Sequence, residues 1–262
     1  FAQVTEITGS LHPSAPEEDK KAFKEGADAV RALLTERTAR RRAMLTRVTA
    51  TEQATIADAI AQGCKDEEKA GAAAAVRGVL LGETGVLHLG SRLTTDVPPQ
   101  LERLGRLAAL EQLILVWNGL TRLPEYLGDL HALQVLRVVN NKIKELPSSL
   151  GRLRSLQKLY ASRNQIARIP DSFVQLRSLV DLKINDNQLT ALPRWIGELP
   201  ALKDFRCGAN PLQMPPSSVA DQGLDAIRAS FACARTHRHH TKEPVGCWDI
   251  GGSHRRNRRG KP

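Results

Sequence analysis

The sequence predicts an α/β solenoid, a stack of coils with parallel strands along a concave face and short helical turns along a convex one. Three observations predict it. Asn118, Asn141, Asn164, Asn187 and Asn210 stand 23 residues apart. Leu110, Leu133, Leu156, Leu179 and Leu202 keep the same step, followed three residues later by Leu113, Leu136, Leu159, Leu182 and Phe205. Leu123-Pro124, Leu146-Pro147, Ile169-Pro170 and Leu192-Pro193 keep it again. Self-similarity at a fixed period of this size marks an array of stacked units. Composition agrees: at 41% apolar and 25% charged over 262 residues the chain is neither disordered nor membrane-spanning, and 4% aromatics leave an aliphatic core.

Each column has a physical reason. Leucines separated by one residue alternate with period two, so Leu113 and Leu115, Leu136 and Val138, and their equivalents point inward from a short strand. The Asn sits where the chain leaves the strand. Its amide donates and accepts, and so can pair backbone groups of adjacent coils that burial would orphan. Stacked coils turn five such residues into an asparagine ladder. Two residues on, Leu120, Ile143, Ile166, Leu189 and Leu212 return to the core. The proline then fixes φ and starts a short helical turn. No coil buries its apolar face alone, so stacking supplies the core. The motif L-x-x-L-x-L-x-x-N-x-L, five times in register, resembles the leucine-rich repeat. The unit Leu146-Pro-Ser-Ser-Leu-Gly-Arg-Leu-Arg-Ser-Leu156 resembles that of the Ras-group class, animal scaffolds of Ras signalling and their plant intracellular Ras-group-like relatives. The resemblance covers roughly residues 84–232 and implies protein binding.

Along the chain, residues 1–82 read as a helical extension with 12 basic and 12 acidic side chains. Ser14-Ala-Pro-Glu17 is a capping box, and Phe23, Ala27, Val30 and Leu34 come next at helical spacing. This helix is expected to reach about Val48, a second to span about Thr51 to Gly63, and a third roughly Asp66 to Leu81. Together they fit either a cap on the first coil or an arm toward a neighbour. The array fills 83–216 as about six coils. The first, 84–96, is degenerate: Leu87 and Leu89 fit the strand columns if three residues are inserted near Leu101–Arg103, and Arg92 takes the asparagine position. Residues 217–234 read as a capping helix with Val219, Leu224, Ile227 and Phe231 on one face. The chain starts at Phe1, as a processed chain or a fragment would, and Glu6, Glu17, Glu18 and Asp19 make its N-terminal segment too acidic for a targeting peptide.

Outward strand positions carry the candidate site. The central row reads Ile114, Arg137, Tyr160, Lys183 and Arg206; Val116, Val139, Trp117 and Arg163 flank it. The first coils thus offer an apolar patch of Ile114, Val116, Trp117, Val135 and Val139. Beyond it lies a basic and aromatic stripe of Lys158, Tyr160, Arg163, Lys183 and Arg206, tempered by Asp181, Asp186 and Asp204. Apolar residues beside Arg and Tyr are what protein interfaces favour. The competing reading has the N-terminal helices lying over the patch.

Residues 235–262 form a tail with 8 basic and 2 acidic side chains, more than half of the net charge of +10. Arg235, Arg238, Arg255, Arg256, Arg258, Arg259 and Lys261 would neutralise phosphates, so RNA is the expected partner, with acidic protein, membrane headgroups or nuclear import as alternatives. Cys233, His237, Cys247 and His254 are a weak zinc candidate, because no C-x-x-C pair is present. Cys247-Trp-Asp249 is similar to the Cys-x-Asp of bacterial leucine-rich ubiquitin ligases, but the large domain those carry has no room in the 13 residues after Asp249. Without a phosphate loop, G-x-S-x-G or metalloprotease helix, neither catalysis nor a cofactor is expected. The favoured reading is a non-catalytic scaffold in a large assembly such as a mitochondrial ribonucleoprotein. A scaffold for a Ras-like GTPase or phosphatase complex, or a ciliary or cytoskeletal adaptor, is the alternative, and the compartment is mitochondrial matrix or cytoplasm.

Overall fold

The computed structural model describes residues 28, 32, 33, 35, 36, 39, 50–81, 84–93, 96–99, 101, 102 and 110–236. Six three-residue strands form one parallel sheet in chain order: β1 (Val86–His88), β2 (Gln112–Ile114), β3 (Val135–Arg137), β4 (Lys158–Tyr160), β5 (Asp181–Lys183) and β6 (Asp204–Arg206). The inward column pairs Leu113 with Leu136, Leu136 with Leu159, Leu159 with Leu182 and Leu182 with Phe205. Leu87 pairs with Leu113, so the first coil is three residues longer than the others.

Pro124, Pro147, Pro170 and Pro193 stand in extended conformation just before five-residue 3₁₀ turns, Glu125–Asp129, Ser148–Arg152, Asp171–Gln175 and Arg194–Glu198. The fixed proline φ therefore sets the entry to each turn rather than its first residue. These turns stack closely. A Cβ on Gly128 would collide with the Ser149 carbonyl, and one on Gly151 with that of Ser172. Between turns and strands the leucine columns are buried, with Phe173 the largest side chain fully enclosed.

One regularity carries no sequence signature. Ser91, Trp117, Asn140, Arg163, Asp186 and Ala209, each preceding the ladder position, have φ between 53° and 60°. A left-handed non-glycine residue costs roughly 1–2 kcal/mol, and in all but the last of these the next coil holds it. Trp117 N–H donates to the Val139 carbonyl at 3.1 Å, Arg163 to Asn185 at 2.9 Å and Asp186 to Gly208 at 3.0 Å.

Helices close both ends. α1 (Ala50–Gln62) and α2 (Lys69–Leu80) pack on each other, and α2 packs on β1. Ile56, Ile60, Val76, Val79 and Leu80 are buried there, and Lys65 N–H donates to the Arg92 carbonyl at 2.7 Å. The first expected helix lies mostly outside the described residues. At the other end α3 (Ser217–Ala220) leads into α4 (Leu224–Thr236), which packs on the Arg194–Glu198 turn. Leu224, Ile227 and Phe231 are buried and Val219 is half-buried. Arg228 donates to the carbonyls of Gly197 and Leu202, both at 3.3 Å, groups the last coil would otherwise leave open. Because α4 continues through Arg235 and Thr236, Arg235 belongs to the helix and not to the tail.

Candidate protein-binding face

The asparagines fix the frame on which the face is built. Asn164 Oδ1 accepts from Ile143 N–H at 3.1 Å, while its Nδ2 donates to the carbonyls of Val138 at 2.9 Å and Ala161 at 3.1 Å. Asn141, Asn187 and Asn210 repeat the arrangement one coil earlier or later. Asn118 closes the ladder by accepting from Leu93 N–H and donating to the Leu89 carbonyl, each at 2.9 Å. Leu93 comes directly after Arg92, whereas the donor in every later coil stands two residues past its Asn. The first coil is one residue short here. Arg92 turns outward to Glu68 at 3.3 Å.

On this frame the sheet register stacks Ile114, Arg137, Tyr160, Lys183 and Arg206 in one row. The N-terminal half of the face is apolar. Ile114, Val116, Val135 and Val139 are half-buried, and Trp117 is 61% exposed. α1 and α2 pack at the end of the array and leave Trp117 open.

The C-terminal half is a network. Two cations lie over the Tyr160 ring, Arg137 at 5.0 Å from its centroid and Lys183 at 5.1 Å. The Tyr160 hydroxyl donates to Asp181 Oδ2 at 2.5 Å. Burial, followed by that hydrogen bond and the Asp181 charge, pushes the phenol up to about 12. Lys183 lies 3.6 Å from both Asp181 and Asp204, Arg206 3.3 Å from Asp204, and Arg163 4.0 Å from Asp186. The basic stripe is therefore largely neutralised within itself: its four cations and Arg137 make five, and three carboxylates leave two charges. Those two are identifiable. Among the described residues Arg137 and Lys158 have no carboxylate within ion-pair distance.

Of the cysteines, Cys207 is a strand-core residue whose thiol burial pushes up to about 12, Cys64 is buried and likewise raised, and Cys233 is half-buried on α4. His237, Cys247 and His254 lie outside the described residues, as do Arg238, Arg255, Arg256, Arg258, Arg259 and Lys261. No described helix is long and apolar enough to cross a membrane.

Comparison with known proteins matches residues 84–207 to a family described as leucine-rich repeat region. A comparison with curated proteins found no match. Among solved structures, a leucine-rich repeat protein of Leptospira interrogans is 30% identical over 51% of this chain and 33% of its own, with a TM-score of 0.46. An internalin from Listeria monocytogenes is 27% identical over 44% of this chain and 32% of its own, with a TM-score of 0.39. The complex of BIR3 and SERK2 from Arabidopsis thaliana contains a chain 28% identical over 35% of this one and 50% of its own, at 0.33. The chain thus spans about a third of the length of the first two. The parallel sheet and the asparagine ladder show a leucine-rich repeat solenoid fold, and residues 84–207 within it match the leucine-rich repeat region family.

Proposed function

We propose that this chain is a non-catalytic scaffold that binds another protein on its concave face and ties into a ribonucleoprotein through its basic tail. One observation carries the first half: an exposed Trp117 and a half-buried aliphatic patch adjoin an arginine held over a tyrosine ring. Aromatic and arginine anchors beside apolar surface dominate the energetics of protein interfaces. The second half rests on the 8 basic and 2 acidic residues of 235–262, a composition suited to phosphate contacts. A mitochondrial location goes with this reading. The 23-residue Leu-Pro unit supports the rival, a Ras-group scaffold for a GTPase or phosphatase complex.

Purification of the tagged chain with and without RNase separates them, using the intact chain, Trp117→Ala and a deletion of 237–262 that spares α4. Trp117→Ala should release the protein partner. The deletion should release RNA, whose binding in the intact chain should fall steeply with salt. Recovery of a single GTPase or phosphatase complex, with no RNA, would establish the rival.

A further inference from the structure

The concave face also specifies what its partner must carry. The three strand carboxylates of the C-terminal half are engaged: Asp181 with Tyr160 and Lys183, Asp204 with Lys183 and Arg206, Asp186 with Arg163, while Asp221 lies apart, beside Gly208 at the far end. Lys183 is held by two aspartates and the Tyr160 ring, so it is a fixed part of the wall. Arg137 is different. It is exposed, its guanidinium lies over the Tyr160 ring at 5.0 Å, and no hydrogen bond or carboxylate among the described residues occupies its donors. Stacking on an aromatic face restricts the guanidinium plane while leaving the edge that bonds a carboxylate pointing outward. Much of its ordering cost is thus met before a partner arrives. Ile114 adjoins it on β2, and Lys158, the other cation without a carboxylate partner, lies across from Val135 on β4.

We propose that the concave face recognises a protein segment with a carboxylate next to a bulky apolar side chain, Arg137 taking the carboxylate and Ile114, Val116, Val139 and Trp117 seating the apolar group. This rests on the face being a protein site. Tyr160 is a positioning residue: it aims Arg137 and makes no direct contact with the ligand. Charge complementarity selects the occupant, since the charges that border the apolar half, Arg137 and Lys158, are positive and have no carboxylate partner among the described residues. A basic segment would meet Arg137 and Lys158 with repulsion and find Asp181, Asp186 and Asp204 already engaged.

The test is selection of 12-residue peptides from a random display library on the full chain, then titration of synthetic selected peptides by calorimetry. Selected peptides should carry Asp or Glu within a few positions of Trp, Phe, Leu or Ile. Arg137→Ala should weaken binding about tenfold to a hundredfold, the range for a lost charge-assisted hydrogen bond. Arg137→Lys should recover only part, because charge remains and the fork is lost. Replacing the peptide's Asp by Asn should cost the intact chain affinity but cost Arg137→Ala almost none, a coupling that a merely structural defect would not produce. Circular dichroism of each variant should match the intact chain. Four results would overturn the proposal. Enriched basic peptides, or peptides indifferent to Arg137→Ala yet sensitive to Trp117→Ala, leave the protein-binding reading standing and remove the carboxylate. Equal displacement of the peptide by a poly-uridine oligonucleotide would make the cation a phosphate site. If no peptide is enriched and the Trp117→Ala purification also shows no loss, the protein-binding reading falls with it.

Discussion

Two columns of the same coils behave in opposite ways. The ladder column holds Asn at five successive coils and repeats its bonds within about a tenth of an ångström: the Nδ2 reach to the previous coil is 2.9, 2.9, 3.0 and 3.0 Å at Asn141, Asn164, Asn187 and Asn210. The central concave row holds an aliphatic, two arginines, a tyrosine and a lysine on an equally regular sheet. The difference lies in what each column faces. A side chain whose partner is buried backbone has one geometry to satisfy, and asparagine fits it. A side chain whose partner is another side chain or another molecule is free to differ from coil to coil. Stability should therefore concentrate in the first column and binding in the second.

That division can be broken or sharpened by substitution. The largest effect is expected from Asn164→Ala, which strands the Ile143 N–H in the interior and takes from the Val138 carbonyl one of its two donors, leaving Asn141. At about 1–3 kcal/mol for each buried group left unpaired, its urea midpoint should fall further than that of any concave variant. Gly151→Ala comes next, because its Cβ would collide with Ser172 backbone. Overpacking of this kind costs about 1–3 kcal/mol, whereas Gly197→Ala, meeting Arg228 Cγ at 3.4 Å and Phe231 Cδ2 at 3.7 Å in ordinary contact, should leave the midpoint nearly unchanged. High pH should reach the concave network third. The Tyr160 phenol is raised from the ordinary value near 10 to about 12. Between these values the unfolded chain loses a proton that the folded chain keeps, so stability falls as pH rises through that window. Absorbance at 295 nm should show native Tyr160 ionising near pH 12, and Tyr160→Phe should remove its share of the alkaline loss. Ala209→Gly should raise the midpoint slightly, by about 0.5–1 kcal/mol, since glycine takes the left-handed conformation without the Cβ penalty. Smallest of all, Trp117→Ala should move stability within about 0.5 kcal/mol while abolishing partner capture. A large loss of stability there would undo the division.

The columns that determine the solenoid were legible because each repeats one residue type for one physical reason. Leu113 and Asn118 announce a strand and a turn wherever they recur. What stayed hidden repeats a conformation without repeating a residue. The left-handed position is filled by Ser91, Trp117, Asn140, Arg163, Asp186 and Ala209, and at the first five the carbonyl of the next coil holds it there. Arg228 reads as a polar residue on an amphipathic helix, and its bonds to Gly197 and Leu202 depend on where that helix docks. The candidate face was legible as a set of outward residues. Its electrostatics were not, because the contacts of Tyr160 with Asp181 and of Lys183 with Asp204 cross between strands and need the register. The basic tail beyond Thr236 lies outside the described residues.

The glycines of the convex turns bear on fit as much as on packing. Curvature in a stacked array is the ratio of two pitches, one per face. Backbone hydrogen bonds set the strand pitch at about 4.7–4.9 Å and leave it little latitude. The outer pitch is set by how near one turn can come to the next, and at Gly128 and Gly151 the missing side chain is what permits the approach. A methyl group there would spread the outside and tighten the arc within. The radius offered to a partner is therefore written on the side that the partner never touches.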